Sequence, residues 1–246
     1  IDTVVQGRVR AKQDRYGDGE RVRSLPLLIH GDAAFAAQGI VAESLQMSEL
    51  EAFEVGGTIH VIVNNQVGFT TSPKDARSTT YATGPARMLQ IPILHVNGED
   101  LEAVAQAVLL AVDFRQRFHR DVVIDLWTYR RHGHNEGDEP AFTQPLMYRA
   151  IQRKPTLKRL HAAQLVREGV VTPAAVDEMT ARCRARLEQA YQESARIALG
   201  LRQRPDAKRL TKIAEAWRPW RGVAAHLLWA YYHAVKRREG IALQPA

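Results

Sequence analysis

Three short polar clusters carry residue types that can hold a divalent cation and a phosphate-bearing anion. His30-Gly31-Asp32-Ala33 offers one carboxylate, Asn64-Asn65-Gln66-Val67-Gly68 offers amide oxygens and a backbone carbonyl, and the stretch from Tyr129 to Glu136 holds two arginines and two histidines. A magnesium ion that carries a diphosphate wants six oxygens, few of them carboxylate, because the phosphates already bring negative charge. One Asp, one Asn amide oxygen and one carbonyl, here Asp32, Asn65 and Val67, meet that need. Gly31, Ala33, Ala34, Ala36, Ala37 and Gly39 are small enough to let backbone approach a bulky anion, which the start of a following helix favours. Taken singly, Gly-Asp is also an ordinary turn and Asn-Asn an ordinary loop.

What can bring these clusters together is a set of four aliphatic, β-branched runs: Leu25–Ile29, Thr58–Val63, Ile91–Val96 and Val122–Trp127. Helical spacing fills the gaps. Val41, Ser44, Leu45 and Ser48 share one helical face. Leu101, Val104, Ala105, Val108, Ala111, Val112, Arg115 and Phe118 trace a longer apolar stripe, broken only at Arg115 and preceded by the acids Glu99 and Asp100. Strands alternating with helices predict an α/β fold, a parallel sheet with helices on both faces and right-handed crossovers. Ligands of such sheets bind beyond the carboxyl ends of the strands. All three polar clusters follow a predicted strand, so they converge on one edge.

From residue 146 the pattern becomes helical, punctuated by Pro155, Thr172-Pro173 and Arg204-Pro205-Asp206. Thr172 followed by Pro173 reads as an N-cap with proline in the first turn. The organisation expected is an α/β domain over residues 1–150, a helical extension over 151–195 and a basic helical tail over 196–246.

The chain of 246 residues, 45% apolar and 25% charged, has the composition of a globular protein. Its apolar runs are too short to cross a bilayer, so no membrane partner is expected. It begins without an initiator Met or a signal-like pattern, as a fragment or a processed chain does. Its one cysteine, Cys183, cannot form an internal disulfide, which sets a bacterial cytoplasm or an organelle matrix as the expected compartment. The net charge of +7 is uneven: residues 1–150 carry 15 Lys/Arg against 19 Asp/Glu, residues 151–246 carry 19 against 8. A basic third can face nucleic acid, but solvated helices produce the same excess.

The text around the clusters is recognisable. His30-Gly31-Asp32-Ala33-Ala34-Phe35, Asn64-Asn65-Gln66-Val67-Gly68-Phe69-Thr70-Thr71, Asp75-Ala76-Arg77-Ser78-Thr79, Arg130-Arg131-His132-Gly133-His134-Asn135-Glu136 and Gln144-Pro145-Leu146-Met147-Tyr148 resemble the decarboxylating first component of 2-oxoglutarate dehydrogenases, over residues 1 to roughly 190. The resemblance implies the thiamine diphosphate-binding fold and a motif in which glycine-aspartate and a later asparagine pair bind magnesium. The third motif residue is usually glycine where Ala33 stands, and the gap between the halves is usually somewhat shorter. It further implies that Asp32, Asn65 and the Val67 carbonyl bind magnesium. Gly31, Asp32, Ala33, Gln38, Asn65, Gln66 and His134 would lie at the thiamine diphosphate, and His134 would also serve the reaction. The substrate implied is 2-oxoglutarate, the acceptor the lipoyl arm of a succinyltransferase component, and the full-length assembly a homodimer. In that family a second, pyrimidine-binding domain supplies the glutamate that activates the cofactor. No stretch of this sequence corresponds to it, so the chain alone is expected to bind cofactor weakly and not to turn over.

The tail departs from this family. Leu199-Gly200-Leu201-Arg202-Gln203-Arg204 and the stretch from Ala214 to Trp229 resemble the last helices of a DNA-3-methyladenine glycosylase, and residues 196–246 carry 11 Lys/Arg against 3 Asp/Glu. The aspartate that glycosylases need falls at about Ala198, so glycosylase activity is not expected. The pattern suggests a junction near residues 190–200. A divergent helical tail of the dehydrogenase is the alternative. Two other functional classes stay open at this point: a nucleic-acid-binding module built on the tail, and a non-catalytic assembly fragment.

Overall fold

Pro26 and Pro92 lack the N–H that a strand ladder needs, and both sit just ahead of where the chain enters its sheet. In the computed structural model, which describes residues 1–235, β1 is Leu27–Gly31, β2 Ile59–Asn64, β3 Ile93–Asn97 and β4 Val122–Trp127. The prolines still contribute their carbonyls: Pro26 accepts from the Ile59 N–H at 3.1 Å and Pro92 from the Val123 N–H at 3.0 Å. All pairings are parallel, in the order β1-β2-β4-β3. Gly31 pairs with Val63, and Asn64 and Asn97 both pair with Trp127, so the carboxyl ends share one edge as the pattern predicts.

The described residues divide into two compact units, one over residues 1–161 and one from residue 162 onward. In the first, α1 (Asp2–Arg15) precedes the sheet, and α2 (Asp32–Ala37) and α3 (Gly39–Met47) follow β1. A short α4 (Pro73–Ala76) lies between β2 and β3, and α5 (Leu101–Phe118) between β3 and β4. One sheet face packs Ile62 and Val123 against Phe35, Val41, Leu45 and Ala86; the other packs Ile59, Val122 and Ile124 against Ala111 and the partly buried Val104 and Val112 of α5. These two apolar layers on a doubly covered parallel sheet make the α/β architecture.

The long helix keeps the predicted ends, and Val104, Ala111 and Val112 of the predicted stripe face the sheet, but the rest of the stripe does not follow. Leu101, Val108 and Phe118 are exposed, whereas Arg115 is 0% exposed. Its guanidinium donates to the carbonyls of Gly57 at 3.1 Å, Val55 at 2.8 Å and Ser24 at 3.4 Å, so the side chain that interrupts the stripe ties the sheet's amino end to α5. Burial draws its pKa below the usual arginine value, with Asp18 and Asp121 opposing.

α1 has no apolar stripe. Its buried positions are Asp2, Gln6, Val9 and Gln13, spaced for one helical face. Gln13 donates to the carbonyls of Ser24 at 2.8 Å and Val55 at 3.0 Å, and Gln6 to the Thr58 hydroxyl at 3.3 Å. Alongside runs a buried chain in which His30 meets His60 at 3.1 Å and His60 meets Asp121 at 3.2 Å, Asp121 also accepting the Thr58 N–H. Burial pulls His30 down to about 4, the neighbouring His60 acting the same way and Asp2 opposing.

After β4 come α6 (Pro145–Arg153) and α7 (Leu157–Arg167). The second unit holds α8 (Pro173–Ala198), capped by the Thr172 hydroxyl on the Ala175 N–H as its sequence predicts, then α9 (Ala207–Glu215) and α10 (Arg221–Val235). Tyr191 and Trp229 join α8 to α10 with ring centroids 5.8 Å apart. Between these helices lies an open cavity of about 560 Å³, lined in part by the exposed Cys183. Among the described residues, no helix is long and apolar enough to cross a membrane.

Candidate functional site

β1 ends at Gly31 and α2 begins at Asp32, so the candidate metal carboxylate is mounted on the sheet with no intervening loop. Asp32 is 2% exposed. Burial holds its carboxyl above the ordinary carboxylate range, against the pull of the Arg77 guanidinium and of the backbone N–H groups of Asp32 and Asn65. The Asn65 backbone therefore lies against the Asp32 carboxylate, and the two motif halves, far apart in sequence, meet at neighbouring strand tips.

The loop after β2 is shaped to make that meeting. The Asn65 Oδ1 accepts the Val67 N–H at 3.1 Å, closing a side-chain turn of the kind asparagine forms with the backbone two residues on. Gln66 adopts φ +60°, and its side-chain amide donates to the Asn64 Oδ1. Asn64 in turn donates to the buried Asp125 at 2.9 Å, which also accepts from Trp127 at 2.9 Å and pairs with His95 at 2.8 Å. The floor of the site is thus cross-linked over three strands. Gly68 closes the contact with the first tip: a Cβ there would stand 2.8 Å from the Ala33 Cβ, nearer than two carbons approach without strain.

The third cluster reaches the second. The rings of His134 and Phe69 are 5.0 Å apart, and Arg130 donates to the Phe69 carbonyl at 3.0 Å while facing Asp138 at 3.6 Å. The His134 N–H donates to Asp138 at 2.8 Å. The turn is tight enough that a Cβ on Gly133 would fall 2.2 Å from the Asp138 carbonyl oxygen. His134 is exposed, its imidazole beside the loop that carries Asn65, Gln66 and Val67.

Gly31 and Ala33 flank Asp32 directly. Gln38 stands apart, exposed at the junction of α2 and α3, about 9 Å further along the chain if α2 rises at the usual rate per residue. Sequence reasoning quoted Arg77 without a role, and the structure places its guanidinium 3.3 Å from Asp32. It assigned none to Phe69 or Arg130 either, since neither type signals a contact between loops. Among the described residues, no cluster of three His, Cys, Asp or Glu side chains could hold a metal alone. A buried carboxylate held above its usual pKa is short of positive charge. Together with a neighbouring amide oxygen and small flanking residues, it suits a cation that brings further oxygens on its own anion.

The family model described as Dehydrogenase E1 component matches residues 2–198. The 2-oxoglutarate dehydrogenase E1 component of Azotobacter vinelandii is 48% identical over 225 residues, covering 91% of this chain and 23% of that protein. The Brucella ovis protein of the same name is 51% identical over 201 residues, covering 78% and 20%. The chain spans about a fifth of the length of these curated relatives. The family model's match ends at residue 198, whereas the match to the Azotobacter vinelandii protein, covering 91% of the chain, runs on past the Leu199-Gly200-Leu201-Arg202 segment. With the strand-tip geometry and this match over four-fifths of its length, the chain belongs to the Dehydrogenase E1 component family.

Proposed function

We propose that this chain supplies the diphosphate- and magnesium-binding half of a thiamine diphosphate-dependent 2-oxoglutarate dehydrogenase, working on 2-oxoglutarate and passing the succinyl group to the lipoyl arm of a succinyltransferase component. The observation that carries the reading is the buried Asp32 carboxylate lying against the Asn65 backbone at adjacent strand tips. Asp32, the Asn65 amide oxygen and the Val67 carbonyl would hold the magnesium. Gly31, Ala33 and Gln66 would line the diphosphate, with Gln38 at its outer margin. Thiamine diphosphate, when bound, supplies the electron sink that decarboxylation of a 2-oxoacid requires. His134 would carry positive charge beside the diphosphate or move a proton at its imidazole near neutral pH. The rest of the assembly, a homodimer in the full-length protein, would provide the groups that act on the substrate.

Isothermal titration of the 246-residue chain with thiamine diphosphate tests this. Binding is expected only with magnesium present, and Asp32→Asn is expected to abolish it while the circular dichroism spectrum stays helical. Binding that ignores magnesium, or survives Asp32→Asn unchanged, would refute the assignment. A nucleic-acid role for the tail gains no support from matches that name a dehydrogenase component over most of the chain.

A further inference from the structure

Arg77 follows α4 in an extended conformation, its backbone N–H donating to the Pro73 carbonyl at 3.2 Å. Its side chain is 6% exposed, yet among the described residues its one ion-pair contact is Nη1 to the Asp32 Oδ2 at 3.3 Å. The Nε atom is buried with no hydrogen-bond partner among the described residues. Buried polar groups are nearly always paired, and an unpaired guanidinium N–H is costly in proportion to its charge. A lysine would neutralise Asp32 as well. A guanidinium adds a planar fork whose other N–H groups match a second oxyanion.

We infer that Arg77 is an anion-binding residue of the site: one arm of its guanidinium fixes the Asp32 carboxylate for the metal, and the unpartnered Nε–H is reserved for a diphosphate oxygen. This rests on the magnesium–diphosphate reading above and adds to it a residue that links metal and anion. A cation placed at Asp32 would repel the neighbouring guanidinium. An anion that bridges the two removes that repulsion, so Arg77 favours the pair of ligands over the metal alone.

The probe is inorganic pyrophosphate with saturating magnesium, titrated into the intact chain. Arg77→Lys, which keeps the charge and loses the fork, is expected to weaken pyrophosphate about tenfold, and Arg77→Gln by more, up to about a hundredfold, as when a partner of a metal ligand is lost. A second readout uses the wild-type chain and needs no variant to fold. The Arg77 Nε–Hε signal in a nitrogen–proton correlation spectrum should shift downfield on adding magnesium pyrophosphate. An unchanged affinity in Arg77→Lys overturns the inference. So does an unmoved Nε–Hε signal, which would mean that Arg77 supports Asp32 and nothing else. If the wild-type chain binds no pyrophosphate with magnesium, the site reading itself fails and takes this inference with it.

Discussion

Gly68→Ala is the sharpest probe of how the two strand tips meet. No left-handed backbone angle protects this position, so the added methyl acts through space alone. It would stand 2.8 Å from the Ala33 Cβ, whereas carbons in contact settle at about 3.5–4.0 Å. The tips must therefore separate by about 0.7 Å or more, several times the roughly 0.2 Å by which metal–ligand distances vary. Overpacking of this kind costs about 1–3 kcal/mol. Magnesium-dependent diphosphate binding should fall more steeply than stability, because the strain falls between the two strand tips proposed to hold the metal. Ala33→Gly removes the opposing methyl at a helix-propensity cost of up to about 1 kcal/mol. Combined with Gly68→Ala, it should restore both properties. Urea unfolding of the four proteins in this cycle, with titration of magnesium and thiamine diphosphate, measures the coupling. A double variant whose effects simply add, within about 0.5 kcal/mol, would show that the tips do not touch.

Arg115→Met should destabilise the first unit by about 3 kcal/mol or more in urea, since the carbonyls of Gly57, Val55 and Ser24 lose their donor. In the second unit, Glu193 lies beside Arg196 and Arg204, whose hydrogen bonds and charges lower its pKa to about 2 from an ordinary 4.5. A depressed carboxyl stabilises the fold above its unfolded pKa and loses that contribution as pH falls through the folded one. Thermal melts should therefore weaken between about pH 4.5 and 2, and Glu193→Gln should flatten the decline. With thiamine diphosphate, magnesium and 2-oxoglutarate, the 246-residue chain should release no carbon dioxide at an enzyme-like rate; steady release would contradict the proposal that groups outside this chain complete the site.

What could be read from sequence follows from which forces leave a pattern. β4 and α5 fall at Val122–Trp127 and Leu101–Phe118 as predicted, because aliphatic runs and an acidic helix start are local signals. β1 and β3 begin two residues later than predicted, since Leu25-Pro26 and Ile91-Pro92 look apolar but the prolines cannot donate to the ladder. The buried face of α5 is misjudged at Arg115 because the three backbone carbonyls that hold it come from residues more than fifty positions away, which no window along the chain contains. α1 went unread for a similar reason: Gln6 and Gln13 are polar by composition and buried by partnership. Of the candidate site, the convergence of Asp32 and Asn65 was legible, because parallel strands put their carboxyl ends on one edge. The contacts between loops were not, since Phe69 against His134 and Arg77 against Asp32 depend on where each loop turns back.

The absence of any spacer between β1 and α2 bears on how this site would answer to heat and to mutation. A ligand on a flexible loop keeps its grip while the scaffold beneath it loosens; a ligand that is the next residue of the scaffold has no such slack. Metal affinity here should track the integrity of the ladder between Gly31 and Val63, so that distant substitutions which soften that pairing register first as weakened cation capture, well before the protein melts.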